Sequence, residues 1–565
     1  VLGTVVVVAL LRAPLLVAAL VGLPVGLLGW QRWHRTAATV NRWGRRSRRK
    51  SGVASTLDLW RVGSWLALRR HAATVRPSIT GLPWRDRLRL AGTEFAVPLV
   101  RVGPWRLWAS IEDVVTVFGG PRTGKTGWAA GRVLDAPGAV LVTSTRTDLH
   151  ELTAALRSAR GPVHVFNAVG LAGLTSTITF DPLTGCADPV AATERATDLL
   201  TAASTNTGAG DREFWENQGR RVLAALLHAA ALGGLGMRDV LAWVADPDTA
   251  KAEVTSLLRR SPEPSFVEDA TQFLETNDRT RSSITSTIMP ALGWLTSATA
   301  RAAAAGGTPF DVEQLLQSRA TVYLLGAEET HTAPLVAALT GYIARQARRI
   351  AATRPSGRLD PPLTLVLDEA ALISPVPLES WTADMGGRGV TIIAAFQSRA
   401  QLIARWGPVG AAIILNNSGA VLLFGGTRDK ADLEYFSTLA GDRDEPVAAY
   451  DQLGQLTSRT VRKVPVLSPA QLANLPARRV VAFRRGMPVT VGRAQMAWTR
   501  RDVRAAVRAA RREGADVLRG AERVLRVHAV RVDTTTGADT AAADSTAADR
   551  SWADTAGREV RADAD

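Results

Sequence analysis

Gly119-Gly120-Pro121-Arg122-Thr123-Gly124-Lys125-Thr126 follows an apolar run, Val114–Phe118, and opens a helical pattern at about Lys125. The string has the form G-x-x-x-x-G-K-[ST], which sets a glycine-rich turn between a buried strand and a helix amino end. Backbone amides and the positive end of the helix then face a phosphate chain. Lys125 is placed to neutralise β and γ oxygens, and the Thr126 hydroxyl to ligate Mg2+. All eight residues are expected to bind ATP. A glycine turn that merely closes a strand–helix connection is the plain alternative, and lysine usage weighs against it. The chain has only Lys50, Lys125, Lys251, Lys430 and Lys463 against 63 arginines, so a lysine at a motif position carries information.

Outward from this loop, further apolar runs lie at Ala139–Thr143, Val163–Asn167, Thr321–Leu325, Leu363–Leu367, Val390–Phe396 and Ala420–Phe424. Continuous apolar runs separated by helical patterns read as parallel strands covered on both faces, an α/β doubly wound sheet. Leu363–Leu367 ends in Asp368-Glu369, two carboxylates at the strand tip where ligands of open α/β sheets bind. Asp368 is expected to hold Mg2+ through water, and Glu369 to polarise the attacking water. Strand-end acids often only cap the next helix, so the pairing with the P-loop is what favours catalysis. Gln397 ends the run Val390–Phe396 and projects from a neighbouring tip, where RecA-like motors hold a polar residue on the γ-phosphate; a surface glutamine that starts the next helix is the plain alternative. Asp148 and Glu151 form a D-x-x-E string after Ala139–Thr143 and are assigned to helix capping.

Between Pro189 and about Gly307 the strand signal stops, and helical patterns at Arg220–Leu232, Lys251–Leu258 and Ser282–Ala305 replace it. The expected organisation has a nucleotide-binding domain over 111–188 and 308–500, interrupted by an all-alpha domain over 189–307. Before it come an anchor over 1–50 and a membrane-proximal lead-in over 51–110; after it come a basic helix over 501–533 and a disordered tail over 534–565. Ala13–Trp30 holds 18 residues without a charge, long enough to span roughly 27 Å as a helix. Trp30 and Trp33 suit an interfacial anchor, and the eight cations of residues 31–50, with no acid, put the following chain in the cytoplasm. The formal charge is +16 and half of it lies in that block. Cys186 is the only cysteine, which excludes an intrachain disulfide and a thiolate metal cluster.

The order P-loop, helical insertion, Asp-Glu strand, then Gly-Gly-Arg-Gly-Val-Thr-Ile-Ile-Ala-Ala-Phe-Gln-Ser-Arg-Ala-Gln-Leu at 386–402 resembles the TraG/TraD-like coupling proteins of conjugation and type IV secretion. The likeness runs from about Asp113 to Trp498 and is strongest over 114–130, Phe214–Leu227 and 363–441. It implies a transmembrane anchor in the inner or plasma membrane, a RecA-like ATPase domain, an all-alpha domain facing the cytoplasm, and a homohexameric ring. It also implies partners: single- or double-stranded DNA, a relaxase or relaxosome, and secretion-channel proteins. The family's P-loop maps onto Gly119–Thr126, its Walker B acids onto Asp368 and Glu369, and its glutamine motif onto Gln397. Arg388, in the glycine-rich segment before Val390, is the candidate arginine finger acting from a neighbouring subunit. Two departures stand out: Ser144-Thr145-Arg146-Thr147 replaces the family's Asp-Pro-Lys-Gly, and Arg388 lies nearer the glutamine than the usual finger.

Three functions compete on these residues. The leading one is an ATP-driven translocase of DNA or of nucleoprotein. A chromosome-segregating motor of the cell-division type would require a winged-helix module, whereas Arg501–Asp565 offers a basic helix and a tail. A membrane receptor that docks transfer substrates without hydrolysis would require every hydrolytic residue to be silent.

Overall fold

The molecule is described by a computed structural model covering residues 52–204, 211–305, 310–327, 331–450 and 456–513. The expected span Ala13–Trp30, its basic flank and the expected tail lie outside the described residues. Among the described residues no helix is long and apolar enough to cross a membrane.

Among the described residues there are thirteen strands: β1 Ala96–Val102, β2 Trp105–Ser110, β3 Val114–Phe118, β4 Val140–Ser144, β5 Val163–Asn167, β6 Thr321–Leu325, β7 Leu363–Leu367, β8 Val390–Phe396, β9 Ser418–Phe424, β10 Asp442–Tyr450, β11 Leu456–Pro465, β12 Arg479–Arg484 and β13 Thr490–Arg493. Eleven of them form one sheet in the order β2-β1-β13-β12-β9-β3-β8-β7-β4-β6-β5. From β9 to β5 every pairing is parallel, and these seven strands are the seven apolar runs of the sequence. Two of the runs differ from the strands at their first residue, Val140 for Ala139 and Ser418 for Ala420.

The antiparallel flank of β1, β2, β12 and β13 was not legible, and 51–110 therefore holds strands where only a lead-in is expected. Pro98 and Pro104 argue against strands in the sequence, but β1 accommodates Pro98 at a register shift against β2, and Pro104 falls in the turn between them. β10 and β11 form a separate hairpin outside the main sheet.

Both faces of the parallel sheet are covered. On one side Trp128, Ala129 and Val133 of helix Lys125–Asp135 pack with Leu149 and Leu152 against Val115, Val117 and Val142. On the other, Leu335, Leu339 and Ile343 of helix Ala333–Thr353 pack with Leu402 and Ile414 against Phe118, Leu365 and Phe396. The indole of Trp128, fully buried, donates to the Leu99 carbonyl at 2.7 Å and ties the antiparallel flank to the helix behind the P-loop.

From Pro189 to Ala303 the described chain is helical, with helices at Pro189–Ala203, Asp211–Gly233, Met237–Ala245, Pro247–Leu258, Ser265–Glu275, Asp278–Leu292 and Ala298–Ala303. The continuous helix expected over Ser282–Ala305 is broken by a 3-10 turn at Gly293–Thr296, shortly after Pro290. The helix runs through Pro290 to Leu292, tightens into the 3-10 turn, and Ser297 then caps the next helix. The expected Asp148–Glu151 capping box also takes another form: Thr147 occupies the cap position, and its hydroxyl donates to the Glu151 carboxylate at 2.7 Å. The basic helix is present as Arg501–Glu513, and residues beyond it lie outside the described part.

The helical unit is fastened to the sheet by one buried ion pair. Asp198, fully buried on the first of its helices, receives the guanidinium of Arg345 on helix Ala333–Thr353, with Arg345 Nη2 at 2.6 Å from Oδ1 and Nη1 on Oδ2. Gly341 permits the approach, since a Cβ there would lie 2.1 Å from the Asp198 carboxylate. Asp198→Ala leaves a buried guanidinium without its bidentate partner, a loss of about 3–5 kcal/mol. The expected outcome is a marked drop in the thermal transition of the full chain; an unchanged transition would show that Glu194, 3.8 Å from Arg345, suffices alone.

Candidate functional site

β3, β7 and β8 are parallel, so their carboxyl ends open on the same edge of the sheet, and the loops leaving those ends meet there. The turn after β3 is held from both sides. The Gly119 amide donates to the Phe396 carbonyl at 3.2 Å, and Thr123 Oγ1 donates to the Gly120 carbonyl at 2.8 Å. Gly124 adopts a left-handed φ of 101°, and Gly119 lies so close to β9 that an added Cβ would come within 2.6 Å of Phe424 Cβ. The loop therefore needs glycine at both positions, for conformation at one and for room at the other.

Lys125 begins the helix with its side chain almost buried, and its Nζ donates to the Phe396 carbonyl at 3.0 Å. Burial pulls its pKa below the ordinary lysine value, while the charges of Asp368 and Glu369 oppose the shift. Thr126 Oγ1 donates to Asp368 Oδ2 at 3.3 Å. Asp368 is buried, and its Oδ1 has no hydrogen-bond partner among the described residues. Its carboxyl is pushed up to about 6, by burial first, with Lys125 pulling the other way and Glu369 adding to the rise.

An orphaned carboxylate oxygen beside a threonine hydroxyl and a lysine, under a glycine turn, fits a hydrated Mg2+ carried in on phosphates. Such an ion keeps several waters and takes few protein ligands.

Glu369 stands at a left-handed φ of 53°, and its carboxylate accepts a hydrogen bond from the Thr145 hydroxyl at the tip of β4. Thr145 was passed over in the sequence because it lies in the segment that departs from the family pattern. The signal was positional only: β4 neighbours β7, so residues just past both tips must meet. Gln397, half-buried, follows the carbonyl that receives Lys125, and its amide donates to Gln401 Oε1 at 2.9 Å.

Arg388 is not brought to this cluster within one chain. It lies at the amino end of β8, about 20 Å of strand from the tip, with its Nε 3.5 Å from Asp384 Oδ1. Arg281 in the helical unit pairs with Asp248 and Asp278.

Two connections leave the cluster. The Arg399 amide donates to Asp432 Oδ2 at 3.0 Å, and its guanidinium lies 3.7 Å from the Tyr435 ring centroid, so the tip of β8 is tied to helix Lys430–Ala440, which leads into hairpin β10–β11. On the other side Trp498 covers Gly127, where a Cβ would lie 2.2 Å from the indole, and Arg500 Nη1 binds Asp135 Oδ1 at 2.6 Å. The carboxyl-terminal segment thereby braces the helix that carries Lys125.

With this geometry in hand, comparison places the chain among known proteins. Residues 362–477 match the family model described as the TraM recognition site of TraD and TraG. No curated protein sequence matches the chain. Among solved structures, the unbound bacterial conjugative coupling protein TrwBdeltaN70 is similar at a TM-score of 0.52 and 17% identity, covering 68% of this chain and 85% of its own. TrwB in complex with a non-hydrolysable GTP analogue gives 0.51 at 17% identity, covering 68% and 86%. TrwB in complex with ADP and Mg2+ gives 0.50 at 17% identity, with the same coverage. At that identity the likeness establishes the fold, and the matched stretch of 362–477 supplies the family signal, including β7 with Asp368-Glu369 and β8 with Gln397. Residues 362–477 are thus similar to the TraM recognition site of TraD and TraG, and the fold is similar to that of the conjugative coupling protein TrwB.

Proposed function

We propose that this chain is a membrane-anchored ATPase that couples hydrolysis to the transfer of DNA, or of a nucleoprotein or protein substrate, through a conjugation or type IV secretion channel. The observation that carries the reading is the convergence of Lys125, Thr126, Asp368 and Glu369 at the tips of β3 and β7. The existence of TrwB complexes with ADP and Mg2+ supports nucleotide and metal as ligands of the shared fold.

Bound MgATP supplies the scissile phosphoryl bond and a divalent charge. Lys125 would exchange its carbonyl partner for phosphate oxygens, and Thr126 with Asp368 would hold the hydrated cation. Glu369, released from Thr145, polarises a water toward the γ-phosphorus. Gln397 senses the γ-phosphate, and the Arg399–Asp432 contact passes its loss to helix Lys430–Ala440 and the β10–β11 hairpin. In a homohexameric ring Arg388 would reach the neighbouring subunit's site, an effect worth roughly 10³–10⁵ in rate for known arginine fingers. The anchor is assigned to Ala13–Trp30 and the partners to DNA, relaxosome proteins and channel proteins, the relaxosome proteins in keeping with the TraM recognition match.

Lys125→Ala is expected to abolish phosphate release while leaving the circular dichroism spectrum and thermal transition close to wild type. Mixing it with Arg388→Ala subunits should restore part of the turnover, because each variant supplies what the other lacks. Turnover retained in Lys125→Ala overturns the site, and no recovery on mixing removes Arg388 alone. Glu369→Gln should bind nucleotide with near-normal affinity yet hydrolyse at least about a hundredfold more slowly, measured by fluorescent-nucleotide titration and phosphate release. An equal loss of affinity would reverse the roles of Asp368 and Glu369.

A further inference from the structure

Within residues 57–105 several large apolar side chains are exposed. Leu57, Trp60, Leu66, Trp84, Leu88 and Trp105 are all at least 41% exposed, and Trp84 reaches 66%. They sit on three short helical turns and at the start of β2. The turns are joined by Arg69, which donates to the carbonyls of Arg87 and Leu88, and by the Trp108 amide, which donates to the Gly63 carbonyl at 2.9 Å. Spacing groups the exposed residues by face: Leu57 and Trp60 lie three apart, opposite buried Leu59, and Trp84 and Leu88 lie four apart on helix Trp84–Arg89, all of whose residues are exposed. Single exposed hydrophobics need no explanation, but a cluster with three tryptophans does.

Charge identifies the occupant. Residues 52–110 hold nine arginines against Asp58, Asp86 and Glu94. Asp58 is engaged by Ser55, and Glu94 by the buried Arg76. Arg70, Arg85, Arg89 and Arg106 are exposed and form no ion pair among the described residues, and Arg85 stacks over the exposed Trp84 ring at 5.4 Å. Exposed tryptophan and leucine with unpaired arginine beside them, as in Trp84, Arg85, Leu88 and Arg89 of one short helix, match the boundary between anionic headgroups and acyl chains. The sequence places that boundary nearby, since only 21 residues separate Trp30 from Gly52, and eight cations lie among them.

We propose that this face, centred on Trp84 and Leu88, docks onto an anionic lipid bilayer and holds the ATPase body against the membrane. It adds a second, peripheral contact to the proposed anchor and relies on that reading only for proximity. Docking through residues 56–106 leaves the opposite side of the sheet, with the helical unit, directed away from the lipid.

Cys186 is fully buried with its thiol pushed up to about 11 by burial, so an engineered surface cysteine can be labelled selectively in the full chain. Leu88→Cys and, as control on the other side of the sheet, Val190→Cys occupy positions that are both 60% exposed. Each is labelled with an environment-sensitive fluorophore and reconstituted into phosphatidylcholine vesicles with or without phosphatidylglycerol, containing chain-brominated lipid as quencher. The expected result is quenching at position 88 at least about threefold above position 190 in anionic vesicles, reduced to the control level by Arg85→Glu with Arg89→Glu. Equal quenching at the two positions overturns the proposal. A blue shift at position 88 without lipid quenching also overturns it and assigns the face to another protein surface. Carbonate extraction of the same vesicles reads the anchor separately: an extractable chain with a quenched probe leaves the docking face standing alone, and a resistant chain with an unquenched probe leaves only the anchor.

Discussion

A buried cation held beside two carboxylates at the tips of neighbouring parallel strands is the constraint on which this structure turns. Lys125 is almost excluded from water, which disfavours its charge, and Asp368 and Glu369 offset that cost. Asp368 in turn is buried with one oxygen unpaired, which disfavours its own charge unless a cation stands close. Neither group suits a hydrophobic interior alone. Together they are tolerable, and the proposed phosphate–metal ligand would engage both. The remainder of the fold serves to keep the two tips in register: seven parallel strands buried on both faces, with helices that begin at the P-loop and after Gln397.

Around that cluster the chain places contacts that can change state. Glu369 sits at a left-handed backbone angle with its carboxylate on Thr145, a conformation that costs energy in a non-glycine residue and persists only where the surroundings hold it. Arg399 couples the tip of β8 to the helix before the outlying hairpin, whose cross-strand pairs set Asp444 opposite Lys463 and Glu445 opposite Arg462. Trp498 and Arg500 clamp the P-loop helix from the carboxyl-terminal side. The strand-tip cluster is thus tied on two sides, to the helix before the hairpin and to the segment that leads into the basic helix Arg501–Glu513.

The parallel half of the sheet was legible because its strands are buried on both faces, and burial writes itself as unbroken apolar runs such as Leu363–Leu367 and Val390–Phe396. The P-loop and the Asp-Glu pair were legible because their chemistry is fixed by residue type at fixed spacing. What stayed hidden depends on pairing at long range. β1 carries a proline, and β12 runs Arg479–Arg484 with a charged residue at each end, so neither reads as a core strand until the sheet edge is known. Thr145 became visible only when β4 and β7 were seen as neighbours. Arg399 likewise draws its role from Asp432 and Tyr435, residues 33 and 36 positions away in sequence. The exposed tryptophans near the amino-terminal side could not be told from core residues, since composition does not report which face a short helix buries.

The most direct test of the central claim is hydrogen–deuterium exchange of the full chain with and without MgATP, read peptide by peptide. If the strand tips form one nucleotide site, exchange should slow together over 119–126, 144–147, 368–370 and 397–401, segments scattered in sequence and brought together by the sheet. Protection confined to the P-loop, or appearing instead in the helical unit at 189–303, would contradict the account.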